Sequence, residues 1–172
     1  MEAEKGTTAA EAQAFVHLVE QYQTSLLRIC YIYLQDRSLA EDAVQETFLK
    51  ALKSMRSFRG DCSEKTWLIR IAMNTCHDTK RSGWFRHTDR RVTPELLPEP
   101  EAAPSEESVQ VAVEIMALPP KLREVVLLYY YQNLSVQEIA QSLGITHSSV
   151  SNRMKRARNK LRETMKGEYF NE

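Results

Sequence analysis

The sequence predicts an all-α protein: two small helical domains joined by an acidic, proline-rich linker. Three observations carry that prediction. Apolar residues recur at three- and four-residue spacing between the glycines and prolines, and no segment shows the sustained alternation of a strand. The stretch TPELLPEPEAAPSEES, residues 93–108, holds four prolines (94, 98, 100 and 104) and the acids Glu95, Glu99, Glu101, Glu106 and Glu107 without one base. A chain of 172 residues that is 42% hydrophobic and 27% charged can bury a core, but it has room for only one ordinary domain or two small ones. The expected order is a flexible start (1–9), a first domain (10–85), the linker (86–107), a second domain (108–168) and a tail (169–172).

In the first domain, Phe15, Leu18, Val19 and Tyr22 form one helical stripe, and Leu26, Ile29, Cys30 and Tyr33 form the next. A third helix follows in SLAEDAVQETFLKALKSM. Ser38 with Glu41 predicts a capping box at its start. Ala40, Ala43, Val44, Thr47, Phe48, Ala51, Leu52 and Met55 give its core stripe. After the loop RSFRGDCS, a fourth helix spans SEKTWLIRIAMNTCHDTKR. It is apolar nearly all round from Trp67 to Met73, so it is expected to be buried on several sides. The second domain opens with MALPPKLREVVLLYYYQNL. Proline suits the first helical position, where its missing amide would be unbonded anyway. Leu122, Val125, Val126 and Tyr129 are its core stripe.

Several function classes are excluded at this level. The longest apolar or aromatic run, Val125 to Tyr131, is too short to span a bilayer. The N-terminus has no cationic start followed by an apolar core, so no secretory signal is read and the cytoplasm is the expected location. Cys30, Cys62 and Cys76 are odd in number and lack a CxxC, so they are expected to be ordinary reduced thiols, with no metal site and no cofactor. There is no phosphate-binding glycine loop and no nucleophile motif, so no enzyme is expected.

The segment SVQEIAQSLGITHSSVSNRMKRA has the parts of a helix-turn-helix. Ser135 and Glu138 form a capping box. Ile139, Ala140 and Leu143 give an inner face. Gly144 permits the sharp turn, Ile145 plugs it, and Thr146 caps the next helix. In that helix Val150, Met154, Ala157 and Leu161 share one face. Ser148, Ser149, Asn152, Lys155, Arg156 and Asn159 lie opposite. The simpler alternative is a solvated helix whose basic end suits the helix dipole. The turn chemistry and the small polar residues at the helix front favour DNA. Short side chains let the backbone approach base edges, and long basic ones reach phosphates. Ser148, Ser149, Ser151 and Asn152 are the candidate base readers. Arg153, Lys155, Arg156 and Arg158 are the candidate phosphate contacts, although an arginine can also grip guanine.

Three segments in order resemble the extracytoplasmic-function (ECF) sigma factors of the sigma-70 family, subunits of bacterial RNA polymerase. LPPKLREVVLLYYYQNLSVQEIAQSLGITHSSVSNRMKRARNKLRE resembles their promoter-reading C-terminal domain. AEDAVQETFLKAL resembles their polymerase-binding helix, and FRGDCSEKTWLIRIAMNTCHDTKR their minus-10 recognition and melting segment. The likeness runs from about Phe15 to Glu163. It implies that Asp42, Gln45, Glu46 and Leu49 dock on the clamp helices of the largest polymerase subunit. Their positions off the core stripe agree, although a plain solvated face would look the same. It implies that the loop from Phe58 through Gly60, Asp61 and Cys62 to Ser63 captures a flipped-out base, which costs a few kcal/mol of unstacking. The alternative is a connecting loop with Ser63 as helix cap. Asn74 and Asp78 match DNA-facing positions, with Lys80, Arg81, Arg86, Arg90 and Arg91 meeting phosphates. Trp67 reads as core rather than as a stacking platform. Trp84 and Phe85 could stack on DNA or pack the domain edge.

The resemblance further implies contacts to the flap of the second-largest polymerase subunit, promoter DNA as partner, and control by an anti-sigma factor in a stress response. That factor could hold the chain at the inner membrane without membrane insertion of the chain itself. About 20 extended linker residues, at ~3.3 Å each, reach roughly 65 Å, enough to bridge elements nearly two duplex turns apart. A stand-alone regulator with a dimerising or ligand-sensing first domain is the main competitor. It gives no reason for an exposed acidic-polar helix face beside a base-pocket loop.

Overall fold

The computed structural model describes residues 8–82 and 106–165. Seven helices are present among them: α1 (Ala9–Leu34), α2 (Arg37–Ser54), α3 (Glu64–Arg81), α4 (Glu106–Ala117), α5 (Pro120–Val126), α6 (Val136–Leu143) and α7 (His147–Thr164). No strand occurs among the described residues. Residues 93–105 of the proline-rich stretch, Trp84, Phe85, Arg86, Arg90 and Arg91 lie outside the described residues, and the last three residues of that stretch, 106–108, already belong to α4.

The two expected N-terminal stripes belong to one continuous helix of 26 residues. Tyr22 and Leu26 are four apart, so the apolar pattern never breaks, and no glycine or proline interrupts it. Thr8 and Glu11 close a capping box at its start. Its end is abrupt. Gln35 adopts a left-handed conformation (φ 60°) and returns its N–H to Tyr31 O, and Asp36 is already the cap of α2. Asp36 accepts from the Leu39 N–H at 2.8 Å. The expected cap at Ser38 is thereby corrected: that serine sits inside the first turn of α2. The corner at Gln35 leaves Asp36 in the extended cap conformation, and a carboxylate there also meets the positive end of the helix dipole.

Helices α1 to α3 share a core of Leu26, Ile29, Cys30, Phe48, Leu68 and Met73, with Ala40, Ala43 and Ala51 small enough to let helices approach closely. Thr47 is buried without cost because its hydroxyl donates to Ala43 O at 2.6 Å. Leu52, expected in the core stripe, is instead 36% exposed and Met55 only half-buried. The helix reaches its end there and the stripe turns off the core.

Pro120 occupies the first turn of α5, as its missing amide requires. This helix then departs from an amphipathic pattern. Every residue from Leu122 to Leu128 is buried, including Arg123 and Glu124. It runs on as one π-helical turn, Leu127–Tyr131. The reason is position: α5 has α7 on one side and α1 on another, and its buried residues join a core continuous with that of α1 to α3. Helix α6 packs across α3.

Candidate nucleic-acid and partner interfaces

The helix-turn-helix is built from local chemistry. Ser135 Oγ accepts from the Glu138 N–H at 3.2 Å, and the Glu138 carboxylate accepts from the Ser135 N–H at 2.8 Å. The Ser135 N–H most of all, and then the Ser135 hydroxyl donating to the same carboxylate at 2.8 Å, hold the Glu138 carboxyl below its ordinary pKa. Gly144 turns the chain at φ 64°, and an added Cβ there would meet nothing within 4 Å. The glycine is needed for its backbone conformation, not for space. The Ile145 N–H then returns to Ala140 O at 3.1 Å. Thr146 Oγ1 accepts from the Ser149 N–H at 3.1 Å and starts α7.

Val150, Met154, Ala157 and Leu161 of α7 are buried. Ser148, Ser151, Asn152, Lys155 and Arg156 are exposed together on the opposite side, while Ser149 and Arg158 are half-buried. That surface carries short polar groups first and cations after, as a groove-reading helix requires. Arg153 differs. Its Nη1 donates to Glu124 Oε1 at 2.7 Å, and its side chain is 20% exposed. In this structure it is an α7–α5 tie rather than an open phosphate contact.

The loop before α3 is shaped by an aromatic stack. Phe58 lies on Trp67 with ring centroids 4.7 Å apart and planes 24° from parallel. Trp67 is thus packed at the domain edge, and the Phe58 side chain faces it. Gly60 follows at φ 74°, again with open space around it. Gly60, Asp61 and Ser63 are exposed and Cys62 is half-buried. Ser63 Oγ accepts from the Thr66 N–H at 3.1 Å, so it does cap α3. Along α3, Arg70, Asn74, Asp78 and Arg81 are exposed at three- and four-residue intervals and share a face. Lys80 points elsewhere: its ammonium lies 3.9 Å from the centroid of the Tyr33 ring.

Asp42, Gln45, Glu46 and Leu49 are all exposed on α2, Leu49 by 52%. Lys50 lies 3.7 Å from Glu46 and 4.0 Å from Asp78, linking this face to that of α3. Beside it runs an open apolar groove of about 530 Å³ between α1 and α2, lined by Phe15, Val19, Leu27, Phe48, Leu49 and Leu52. Sequence reasoning took Phe15 and Val19 for interior residues. The available signal was Leu49 and Leu52, apolar positions at the edge of the α2 stripe. Sequence reasoning also missed Arg123, Glu124 and His77, which the structure brings together near Tyr33.

Cys30 and Cys76, distant in sequence, meet with sulfurs 3.5 Å apart in the α1–α3 core. Both are free thiols, and the Cys30 hydrogen bond and burial raise the Cys76 thiol well above its ordinary pKa.

Comparison with known proteins gives a consistent result. Family models match for sigma-70 region 2 over residues 18–86 and sigma-70 region 4 over residues 108–161. An ECF RNA polymerase sigma factor, SigW of Bacillus subtilis, is 30% identical over 176 residues, covering 94% of each chain. ECF sigma factor SigL of Mycobacterium tuberculosis is 32% identical, covering 93% of each. A longer relative from Xanthomonas campestris, a probable sigma factor, is 31% identical, and the match spans 40% of its length. Among solved structures, CnrH in complex with the cytosolic domain of CnrY superposes with a TM-score of 0.69 at 27% identity, covering 91% of this chain and 90% of the other. The sigma factor RpoE of Bartonella quintana, solved with the anti-sigma factor NepR, shares the fold at TM-score 0.72 and 23% identity, covering 94% and 99%.

Proposed function

The chain belongs to the sigma-70 family of RNA polymerase sigma factors, in its ECF branch, and on that premise we propose how its surfaces divide the work of promoter recognition. Sigma factors are specificity subunits rather than enzymes, so the chain directs polymerase core to particular promoters and performs no bond chemistry of its own. We assign residues 10–85 to polymerase binding and the minus-10 element, 86–107 to the linker, and 108–168 to the minus-35 element and the polymerase flap.

The observation that carries this division is that an exposed polar reading helix and an exposed acidic-polar helix face occur on one chain, the first within the stretch matched by region 4 and the second within that matched by region 2. Ser148, Ser149, Ser151 and Asn152 read base edges of the upstream element, and Lys155, Arg156 and Arg158 neutralise phosphates. Downstream, the loop from Phe58 to Ser63 receives a base that has left the stack, with exposed backbone at Gly60 and polar groups at Asp61 and Ser63 around it. Asn74, Asp78 and Arg81 line the strand beside it, whereas Lys80, turned onto the Tyr33 ring, is left out of this face. Asp42, Gln45, Glu46 and Leu49 dock on the clamp helices, the carboxylates matching basic groups and Leu49 adding apolar contact.

We further propose that an anti-sigma factor, as NepR is to RpoE of Bartonella quintana, holds the chain inactive. No helix among the described residues is long and apolar enough to cross a membrane, so attachment at the inner membrane would come through that partner.

Run-off transcription with core polymerase tests the whole. Adding the chain should start transcripts at particular promoters. Asp42→Lys with Glu46→Lys should weaken core binding by at least ~100-fold while the helical content stays unchanged. Transcription indifferent to the chain would sink the assignment, and an unchanged pull-down by the double variant would move the docking face elsewhere.

A further inference from the structure

Trp67 stands between the core and the loop that precedes α3. Its neighbours Leu68 and Ile69 are fully buried, whereas Trp67 is half-buried and packs against the core from its edge. The Phe58 ring lies on it nearly parallel, with 4.7 Å between centroids. These two residues sit on opposite sides of the loop in sequence. At the other end of the loop, Ser63 Oγ accepts from the Thr66 N–H at 3.1 Å and donates to Thr66 Oγ1 at 2.9 Å. Thr66 itself is buried. Both ends of the segment 59–62 are thereby pinned to adjacent residues in the first turn of one helix.

Between those anchors the chain is open. Arg59, Gly60 and Asp61 are exposed, and Gly60 turns at φ 74° with open space about it. A glycine there lets a flat ring approach the backbone, but it also gives the loop the most freedom to lose. Ordering such a loop at the moment a base arrives opposes capture. Ordering it beforehand removes that cost. Two stacked rings suit the purpose, because aromatic pairs attract beyond the area they bury and each ring has few rotatable bonds to fix. An aliphatic side chain at position 67 would still pack against the core, yet it would offer no ring face to Phe58.

Resting on the promoter-subunit reading, we propose that Trp67 is a positioning residue for base capture: through its stack on Phe58 it holds the loop 58–63 in the shape that receives a flipped-out base, without touching the base itself. Its contribution is made when the duplex opens, not when polymerase core or the upstream element is bound. The docking face on α2 and the reading face on α7 do not include it.

The test uses the full chain with core polymerase, on a promoter found by run-off transcription. A fluorescent base analogue in the downstream element reports strand opening. Trp67→Leu should lower the equilibrium constant for opening about three- to ten-fold, the worth of one aromatic pair, and Trp67→Phe should recover most of the loss. Phe58→Leu should lose at least as much, and the double leucine variant should be no worse than Phe58→Leu alone, because both changes remove one interaction. Core pull-down and affinity for the upstream duplex should stay at wild-type levels.

Removing the base is the decisive arm. An abasic nucleotide is placed in turn at each non-template position of the downstream element. At the captured position there is nothing for the loop to receive, so wild type and Trp67→Leu should open the duplex equally. Circular dichroism checks that the variants keep their helices, and Trp67→Met, whose flexible chain fills irregular core space, takes the place of Trp67→Leu if that variant is unfolded. A defect that persists at every abasic position would reduce Trp67 to core packing and overturn the proposal. So would a leucine that works as well as tryptophan, or losses that add in the double variant. A wild type that opens no promoter with core polymerase would instead overturn the promoter-subunit reading, and the role of Trp67 with it.

Discussion

Helices α2 and α5 use charge in opposite ways. On α2, Asp42 and Glu46 face solvent above a core of alanines, and removing either would leave nothing buried unpaired. On α5, Arg123 and Glu124 are 7% and 4% exposed and lie where the two halves of the chain meet. A solvent-facing carboxylate is free to meet a partner. A buried one must be satisfied inside the fold, and so ties together whatever satisfies it. The contrast separates a surface that waits for another molecule from a seam that holds the chain to itself.

The largest expected difference between the two is in stability. Arg123→Ala removes a buried guanidinium from Tyr33 O and Leu118 O, which it holds at 2.8 and 2.9 Å. The loss should be about 3 kcal/mol or more, since both the packing and the charge-assisted bonds go. Glu46→Ala should stay within about 0.5 kcal/mol of wild type. Urea unfolding compares them directly. Equal midpoints would erase the distinction between the two helices.

That same contrast marks what could be read in the sequence. The helix-turn-helix was legible residue by residue because its signals are local. Ser135 with Glu138, the left-handed Gly144 and the cap at Thr146 each act over three residues or fewer. The burial of Arg123 and Glu124 was not legible. In KLREVVLLYYY they resemble surface residues of an amphipathic helix, and only the packing of a distant segment encloses them. The N-cap of α2 failed for a smaller reason: Asp36 and Ser38 are both good caps, and the choice depended on where α1 ended. Gln35 ended it in a left-handed conformation that neither glycine nor asparagine announced. Cys30 and Cys76 looked unrelated because nothing in their spacing shows that α1 and α3 are neighbours.

A smaller effect sharpens the comparison within α7. Arg153 and Lys155 belong to one basic run, yet the first is tied to Glu124 and the second is exposed. Lys155→Ala should weaken binding to the upstream element across sequences and reduce the salt slope of log affinity by about one. Arg153→Ala should cost roughly 1–3 kcal/mol of stability, because it leaves Glu124 short of a partner, while changing that slope little. Binding titrations over a range of salt, beside urea melts, separate the two. A slope lost equally by both variants would mean that Arg153 leaves Glu124 for a phosphate once DNA arrives.

The smallest effect belongs to a tie on the outside of the fold. Arg56, just after α2, donates from Nε and Nη2 to the two carboxylate oxygens of Glu11 in the first turn of α1, each at 2.9 Å. The Arg56 hydrogen bond, followed by the Thr8 N–H, lowers the Glu11 carboxyl pKa to about 2. A folded-state pKa below the unfolded one contributes stability above the ordinary value of 4.5, and that contribution is lost as pH falls from there through about 2. Solvent screens so exposed a pair, so the gain is small. Arg56→Ala should therefore lower the melting temperature slightly near neutral pH, and by progressively less as pH falls toward 2, where Glu11 is becoming protonated even in the wild type. An NMR titration of the Glu11 carboxyl should move up toward its ordinary range in the variant. If it stays low, the Thr8 amide alone holds the charge, and the N-terminus of α1 is fixed by its own cap rather than by α2.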